Sequence, residues 1–202
     1  MKTFEELKEE LLTRAKNADA CQSGYAMGLR SNTKADLLKA ITENWFWVLR
    51  DAKIVDAEYL EDNFTEEELS QAGIYTKNTH KVITASFACG SATVNAYGSA
   101  TVNAYGSATV NACGSATVKA YDSATVNACD SATVKAYGSA TVNACGSATV
   151  KAYDSATVKA YDNSYVEDCT GNIRPESDYA IVKDYYSHKI YIKKGKFEII
   201  EV

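Results

Sequence analysis

An eight-residue unit, [GD]-S-A-T-V-[NK]-A-[YC], is repeated nine times without interruption between Gly90 and Tyr161. Within each unit, the segment Ala-Thr-Val-Asn/Lys-Ala alternates small apolar residues with polar ones, which is the two-residue period of a β-strand. The remaining Tyr or Cys, Gly or Asp, and Ser favour a turn. Consecutive units of one strand and one turn predict a β-solenoid, in which each coil stacks on the one before it.

The substitutions within the repeat indicate that one coil contains two units. Because stacked coils place equivalent residues directly above one another, a sixteen-residue coil puts like residues in columns, and an eight-residue coil does not. The last position of the unit sorts into one series of Cys89, Tyr105, Tyr121, Tyr137, Tyr153 and Cys169, and another of Tyr97, Cys113, Cys129, Cys145 and Tyr161. The Asn/Lys position sorts in the same way, into Asn95, Asn111, Asn127, Asn143 and Lys159, and into Asn103, Lys119, Lys135 and Lys151.

The predicted solenoid is thin and two-sided, with Ala and Val inside, one outer face of Thr and Asn, and one of Thr and Lys. The segment before it predicts helices, because Thr3 with Glu6, Thr33 with Asp36, and Thr65 with Glu68 have the spacing of capping boxes. The expected fold class is α+β. The expected divisions are a helical cap domain at 1–75, an irregular first coil at 76–89, the solenoid at 90–169, and a degenerate coil with a closing β-hairpin at 170–202.

The ends of a solenoid expose unpaired strand edges, so both ends need a cover. The helical domain is expected to cover the first coil. At the other end, the hairpin is predicted to pair residues 189–192 with residues 197–200 across a Lys-Lys-Gly turn.

Composition excludes several classes of protein. Residues 1–75 carry 9 Lys and Arg against 15 Asp and Glu, and the remainder carries 12 against 11, so a globally basic nucleic-acid binder is not expected. The charged, amphipathic N-terminus does not resemble a secretory signal, and no run of 18 apolar residues exists, so we expect a cytoplasmic protein without a membrane span. The six cysteines are then expected as reduced thiols, with a disulfide framework as the alternative.

The sequence offers little chemistry for catalysis. His80 and His188 are its only histidines, and neither lies in a recognisable motif. A straight column of Cys113, Cys129 and Cys145 suits packing better than a tetrahedral metal site. We therefore expect no enzyme activity, no metal, no cofactor and no small-molecule substrate.

The column of Lys119, Lys135 and Lys151 is the first candidate binding surface, because ammonium groups about 4.8 Å apart repel one another. An anionic partner would compensate that repulsion, with nucleic acid and an acidic protein surface as the two possibilities. The alternative is that corner carboxylates and solvent screening suffice. The carboxylates in question are those of Asp122, Asp130 and Asp154. The threonines that share this face are Thr117, Thr133 and Thr149.

Three further surfaces are candidates. The regular Thr and Asn face, Thr93/Asn95 to Thr141/Asn143, has the flat polar array that orders water or ice. A strip of repeated aromatics is self-complementary and would support a homodimer. This strip consists of Tyr105, Tyr121, Tyr137 and Tyr153. Trp47, in the run Trp45-Phe46-Trp47, either packs on a neighbouring helix or on the end of the solenoid, or contacts a partner.

The string Ala-Tyr-Gly-Ser-Ala-Thr-Val resembles the sixteen-residue coils of bacterial ice-nucleation proteins, although Asn or Lys replaces the second Thr of their Thr-x-Thr arrays. The whole layout, with Ala-Asp-Ala-Cys and Glu-Asn-Trp-Phe-Trp before the octads, also resembles uncharacterised octapeptide-repeat proteins of phages and mobile elements of gut bacteria. The second resemblance implies an accessory role against host defences such as CRISPR nucleases. We therefore expect a macromolecule-binding inhibitor, with an ice-ordering solenoid or a self-associating scaffold as alternatives.

Overall fold

The computed structural model describes residues 1–193, and the chain divides into two compact units. The first unit comprises Met1–Thr76, and the second begins at Lys77. The predicted fold class is confirmed: a short helical region is followed by a solenoid of stacked coils that ends in an antiparallel strand pair.

The first unit is built from short helices whose starts are fixed by side-chain caps. Thr3, Thr33 and Thr65 each form the predicted capping box, and Asp56 accepts a hydrogen bond from the backbone N–H of Tyr59 at the start of another helix. The elements are α1 Phe4–Asn17, α2 Gln22–Arg30, α3 Lys34–Glu43, a π-helical turn Trp47–Asp51, α4 Ala57–Asn63, α5 Glu66–Gln71 and the short strand β1 Ile74–Tyr75.

The spacing of Ile41, Trp45 and Val48 continues one apolar helical face beyond Glu43, but the structure replaces a single α-helix there by a π-helical turn. The α-helix ends at Glu43, and the chain continues into a wider turn in which the N–H of Ala52 donates to the carbonyl of Trp47. Trp45 and Val48 are nevertheless buried, as the apolar spacing predicts. The core of this unit also contains Leu7, Leu37, Leu38, Ile41, Leu60 and Phe64.

The second unit is the solenoid, and its coils have the predicted sixteen-residue period. Thr109 pairs with Thr125 and Thr125 with Thr141 in parallel register, so each strand lies beside the strand two units later. One six-stranded sheet contains β2 Thr79–Val82, β4 Thr93–Ala96, β6 Thr109–Ala112, β8 Thr125–Ala128, β10 Thr141–Ala144 and β12 Thr157–Ala160. The other sheet runs through β3 Ser86–Ala88, β5 Thr101–Ala104, β7 Thr117–Ala120, β9 Thr133–Ala136, β11 Thr149–Ala152, β13 Tyr165–Asp168, β14 Ile181–Asp184 and β15 Lys189–Tyr191.

We call the outward surface of the β4-to-β12 sheet the Asn face and that of the β5-to-β11 strands the Lys face. Between them, the Ala and Val side chains of the repeat form the core. Val126 and its neighbours in the central coils are completely buried, whereas Thr125 and Asn127 between them are only half-buried. The pleat of each strand thus separates core from surface, as the alternating pattern requires.

The corner residues explain why the repeat uses both Gly and Asp at its first position. These residues adopt positive φ, which Gly tolerates freely and Asp more readily than most residues. Each Asp lies above a Gly and accepts a hydrogen bond from that Gly's backbone N–H. The pairs are Asp122 with Gly106, Asp130 with Gly114, Asp154 with Gly138 and Asp162 with Gly146, at 2.9–3.2 Å. In the repeat no two Asp are consecutive in one column, so stacked carboxylates never repel.

The C-terminal part of the solenoid departs from the repeat. β13 and β14 continue the parallel stack, and β15 then pairs antiparallel with β14. The buried carboxylate of Asp168 fixes the loop that follows β13 by accepting from the backbone N–H groups of Thr170, Gly171 and Ile173 at 2.7–3.0 Å. The second strand of the predicted hairpin, 197–200, lies outside the described residues.

Candidate functional site

The Lys face brings two of the predicted lysines together as free ammonium groups. Lys119 and Lys135 are paired in register on β7 and β9, and both are exposed. Neither makes an ion pair within the part of the chain that the structure describes. Strand spacing holds their backbones about 4.8 Å apart. They form a compact positive site on a rigid sheet.

Lys151, the third lysine of the column, is different. Its ammonium group lies 2.7 Å from the carboxylate of Glu167 on β13, the next strand of the stack. This hydrogen bond raises the pKa of Lys151. The charge that Lys151 offers a partner is therefore largely compensated.

The corner carboxylates do not take part in this compensation. Asp122, Asp130 and Asp154 accept hydrogen bonds from backbone N–H groups of neighbouring corners. Among residues 1–193, none of the three makes an ion pair with a lysine of the column. Glu167, a residue of a degenerate unit, supplies the ion pair that Lys151 makes.

Threonine hydroxyls flank the two free lysines. Thr117, Thr133 and Thr149 lie in register on the same face, two residues before each lysine. Thr117 is half-buried, and Thr133 and Thr149 are exposed. A hydroxyl donates and accepts, and an ammonium only donates, so the combination suits carboxylate or phosphate oxygens.

The Asn column of the Asn face is a hydrogen-bonded ladder. The side-chain Nδ2 of each Asn donates to the Oδ1 of the Asn in the preceding coil. The three bonds join Asn111 to Asn95, Asn127 to Asn111, and Asn143 to Asn127, at 2.8–2.9 Å. The amides of this face therefore satisfy one another and stiffen the sheet.

The predicted tyrosine strip is a stack of rings. Successive rings of Tyr105, Tyr121, Tyr137 and Tyr153 are nearly parallel, with centroids 4.7–5.0 Å apart. Tyr105 and Tyr121 are buried, whereas Tyr137 and Tyr153 are half-buried. The ring faces are thus occupied by one another, and the surface open to a second copy lies mainly at Tyr137 and Tyr153. Dimerisation through this strip stays a prediction.

The column of Cys113, Cys129 and Cys145 lies at the other edge of the solenoid, and all three are free thiols. Burial raises the pKa of Cys113, and burial together with the neighbouring Cys129 raises that of Cys145 to about 12. The thiols of Cys113 and Cys145 are therefore weak nucleophiles near neutral pH. The described residues contain no group of His, Cys, Asp and Glu side chains that could hold a metal ion.

Trp47 is not fully exposed to solvent. It is half-buried and lines a cavity of the helical unit together with Leu11 and Ile41. Phe46 is the most exposed aromatic of the Trp-Phe-Trp run and lies beneath the guanidinium of Arg50, 5.0 Å from the ring centroid. A partner contact by Trp47 stays a prediction.

Comparison of the chain with protein-family models, with curated proteins and with solved structures finds no match. The two family resemblances therefore stay predictions. In residues 1–193, no helix has the length and apolar character needed to cross a membrane.

Proposed function

We propose that this protein is a non-enzymatic binding protein whose Lys face docks against an anionic macromolecule. The observation that supports this most is the pair of exposed lysines, Lys119 and Lys135, which have no ion pair in the described chain. Two like charges held side by side on a rigid sheet destabilise the free protein. A partner carboxylate or phosphate would remove that repulsion on binding, so the face is better suited to the bound state than to the free one.

The partner in this proposal is an acidic protein surface or a nucleoprotein complex of a host cell. The protein would act in the cytoplasm as an accessory factor of a phage or mobile element, inhibiting a host defence such as a CRISPR nuclease. One ground for this part is the likeness to repeat proteins of such elements. The other is the Lys face itself, since a regular array of identical residues is more typical of a docking surface than of a catalytic site.

The test compares two double variants of equal charge. Lys119→Gln with Lys135→Gln removes the free charges of the Lys face. Lys81→Gln with Lys159→Gln removes two exposed lysines from the opposite, six-stranded sheet, on β2 and β12. Each tagged protein is used for affinity purification from the native host, with quantitative mass spectrometry. We expect the first variant to lose a partner that the second one retains.

The same partner, once purified, should bind with an affinity that falls as salt rises, because charges at a surface are screened. The Lys119→Gln and Lys135→Gln variant should show a shallower salt dependence than the control variant. Equal affinities and equal salt slopes for the two variants would show that the Lys face is not the binding surface.

Ordering of water or ice by the Asn face is the second candidate function. The amide ladder holds the Asn side chains at the strand spacing, with a column of in-register Thr residues beside them, which favours this alternative. An assay of ice recrystallisation with the purified protein tests it directly. Ice crystals that grow as fast as they do with an equal concentration of an unrelated protein would rule out this function.

A further inference from the structure

The helical unit contains an apolar cavity of about 360 Å³. This volume lies at the lower end of the range for small-molecule sites. The cavity lies among α1, α2, α3 and the π-helical turn, and its walls are predominantly aliphatic and aromatic. The principal apolar residues around it are Leu11, Leu12, Tyr25, Leu37, Trp47 and Val48.

Helix α2 forms one wall of the cavity. None of the nine residues of α2 is fully buried, although the helix contains Tyr25, Ala26 and Met27. Gly24 and Gly28 bring its backbone close to Asn44 and Leu12: an added Cβ would lie 3.2 Å and 3.1 Å from atoms of these side chains. The helix thus approaches its neighbours closely at its glycines. Between them, Tyr25 borders the cavity, whereas the sulfur of Met27 accepts from Nδ2 of Asn44 at 3.6 Å.

The π-helical turn forms another part of the wall. Its wider turn places two consecutive residues, Trp47 and Val48, beside the cavity. Turns of this kind are rare and occur frequently at functional sites. The cavity is partly open to solvent, so water contacts its apolar lining. An apolar occupant that removes this lining from water is therefore favoured.

The polar groups at the cavity define what such an occupant must look like. The Asn44 side chain donates from Nδ2 to the carbonyl of Ala40 at 2.9 Å, while its Oδ1 accepts no hydrogen bond from the described residues. One acceptor is thus available at the wall. Asp19 and the thiol of Cys21 lie at the edge, and hydrogen bonds from Ser23 and from the N–H of Gly24 lower the pKa of that thiol. This edge disfavours an anion.

We propose that the cavity binds a neutral, mainly aromatic small molecule with one hydrogen-bond donor directed at Oδ1 of Asn44. The volume accommodates roughly 10–15 non-hydrogen atoms, the size of a bicyclic ring system. This site lies in a different unit from the Lys face, so it is independent of the proposed function. It would make the helical unit a ligand-binding module.

The test uses the full chain and two probes of nearly equal shape, 2-naphthol and 2-methoxynaphthalene, in isothermal titration calorimetry. Only the first carries a donor. A net hydrogen bond predicts that 2-naphthol binds about fivefold more tightly. Ala40→Leu on α3 and Ala15→Leu on α1 each fill the cavity from a different wall, and each variant that keeps its far-UV circular dichroism should weaken both probes at least about tenfold.

The position of the bound probe is read from cysteine alkylation by iodoacetamide. Saturation with 2-naphthol should slow the reaction of Cys21 and leave that of Cys169, an exposed thiol of the solenoid, unchanged. The proposal is overturned if neither probe binds up to its solubility limit, if a folded filled variant binds as tightly as the native protein, or if Cys21 is not protected. Equal affinities for the two probes would overturn the role of Asn44.

Discussion

The asparagine ladder predicts a graded loss of stability along one column of identical residues. Asn127 lies inside the ladder and makes two side-chain hydrogen bonds, whereas Asn143 at its end makes one. Asn103 occupies the same position of the repeat on the other sheet, and its neighbour in the stack is Lys119. It makes no side-chain hydrogen bond within the described residues. Replacement by Ala therefore removes two side-chain hydrogen bonds at Asn127, one at Asn143 and none at Asn103.

The expected magnitudes follow from the partial exposure of the ladder. A net hydrogen bond contributes about 0.5–1.5 kcal/mol, and the lower half of that range applies where water reaches the broken partners. Asn127→Ala should therefore cost about 1–2 kcal/mol and Asn143→Ala about 0.5–1 kcal/mol, while Asn103→Ala should stay within about 0.5 kcal/mol. Asn103→Ala is the matched control, because it makes the same chemical change in the same strand position.

Urea unfolding followed by far-UV circular dichroism measures these differences as shifts of the midpoint at constant slope. A constant slope shows that the variants unfold over the same surface. The reasoning is refuted if Asn127→Ala is no more destabilising than Asn103→Ala, since the ladder would then contribute nothing beyond the choice of residue in a strand.

Three other perturbations have defined outcomes. Val126→Asp places a charge in the fully buried core and should cost more than about 4 kcal/mol by urea unfolding, whereas Thr125→Asp on the surface beside it should leave the protein folded. Asp130→Ala removes the hydrogen bond from the N–H of Gly114 and places Ala at a positive φ. It should lower the free energy of unfolding by about 1–2 kcal/mol, whereas Asp130→Asn should be nearly neutral. A larger loss for Asp130→Asn than for Asp130→Ala would contradict this role of Asp130. The pKa of Cys21 is lowered and that of Cys145 is raised to about 12. Alkylation at mildly alkaline pH, mapped by mass spectrometry, should therefore modify Cys21 well before Cys145. Equal rates of alkylation would contradict this difference between the two thiols.

The sixteen-residue coil was predictable because stacking acts between identical positions. The Tyr and Asn columns each require a like neighbour one coil away, and this requirement leaves a period in the sequence. The capping boxes at Thr3, Thr33 and Thr65 were predictable for a similar reason, since both partners of each box lie within four residues. Local or strictly periodic interactions are thus visible in the chain itself.

Other features depend on contacts that no period or local spacing marks. Glu167 pairs with Lys151 because the degenerate unit that contains it still stacks in register. The π-helical turn at Trp47 and the cavity beside it arise from the packing of several short helices. The alternation of Tyr, Asn and Lys located the surfaces of the solenoid, but it carried no information on which ammonium group is already paired.

The most direct test of the proposed Lys face moves its charge without changing composition. A variant with Lys119→Asn, Lys135→Asn, Asn95→Lys and Asn143→Lys has the same net charge, but carries both lysines on the Asn face. The two ladder ends lose one hydrogen bond each, so circular dichroism must first show a folded protein. The affinity of this variant for the purified partner, measured by calorimetry, is predicted to fall to that of the Lys119→Gln and Lys135→Gln variant. An affinity equal to that of the native protein would contradict the proposal that Lys119 and Lys135 on the Lys face form the binding surface.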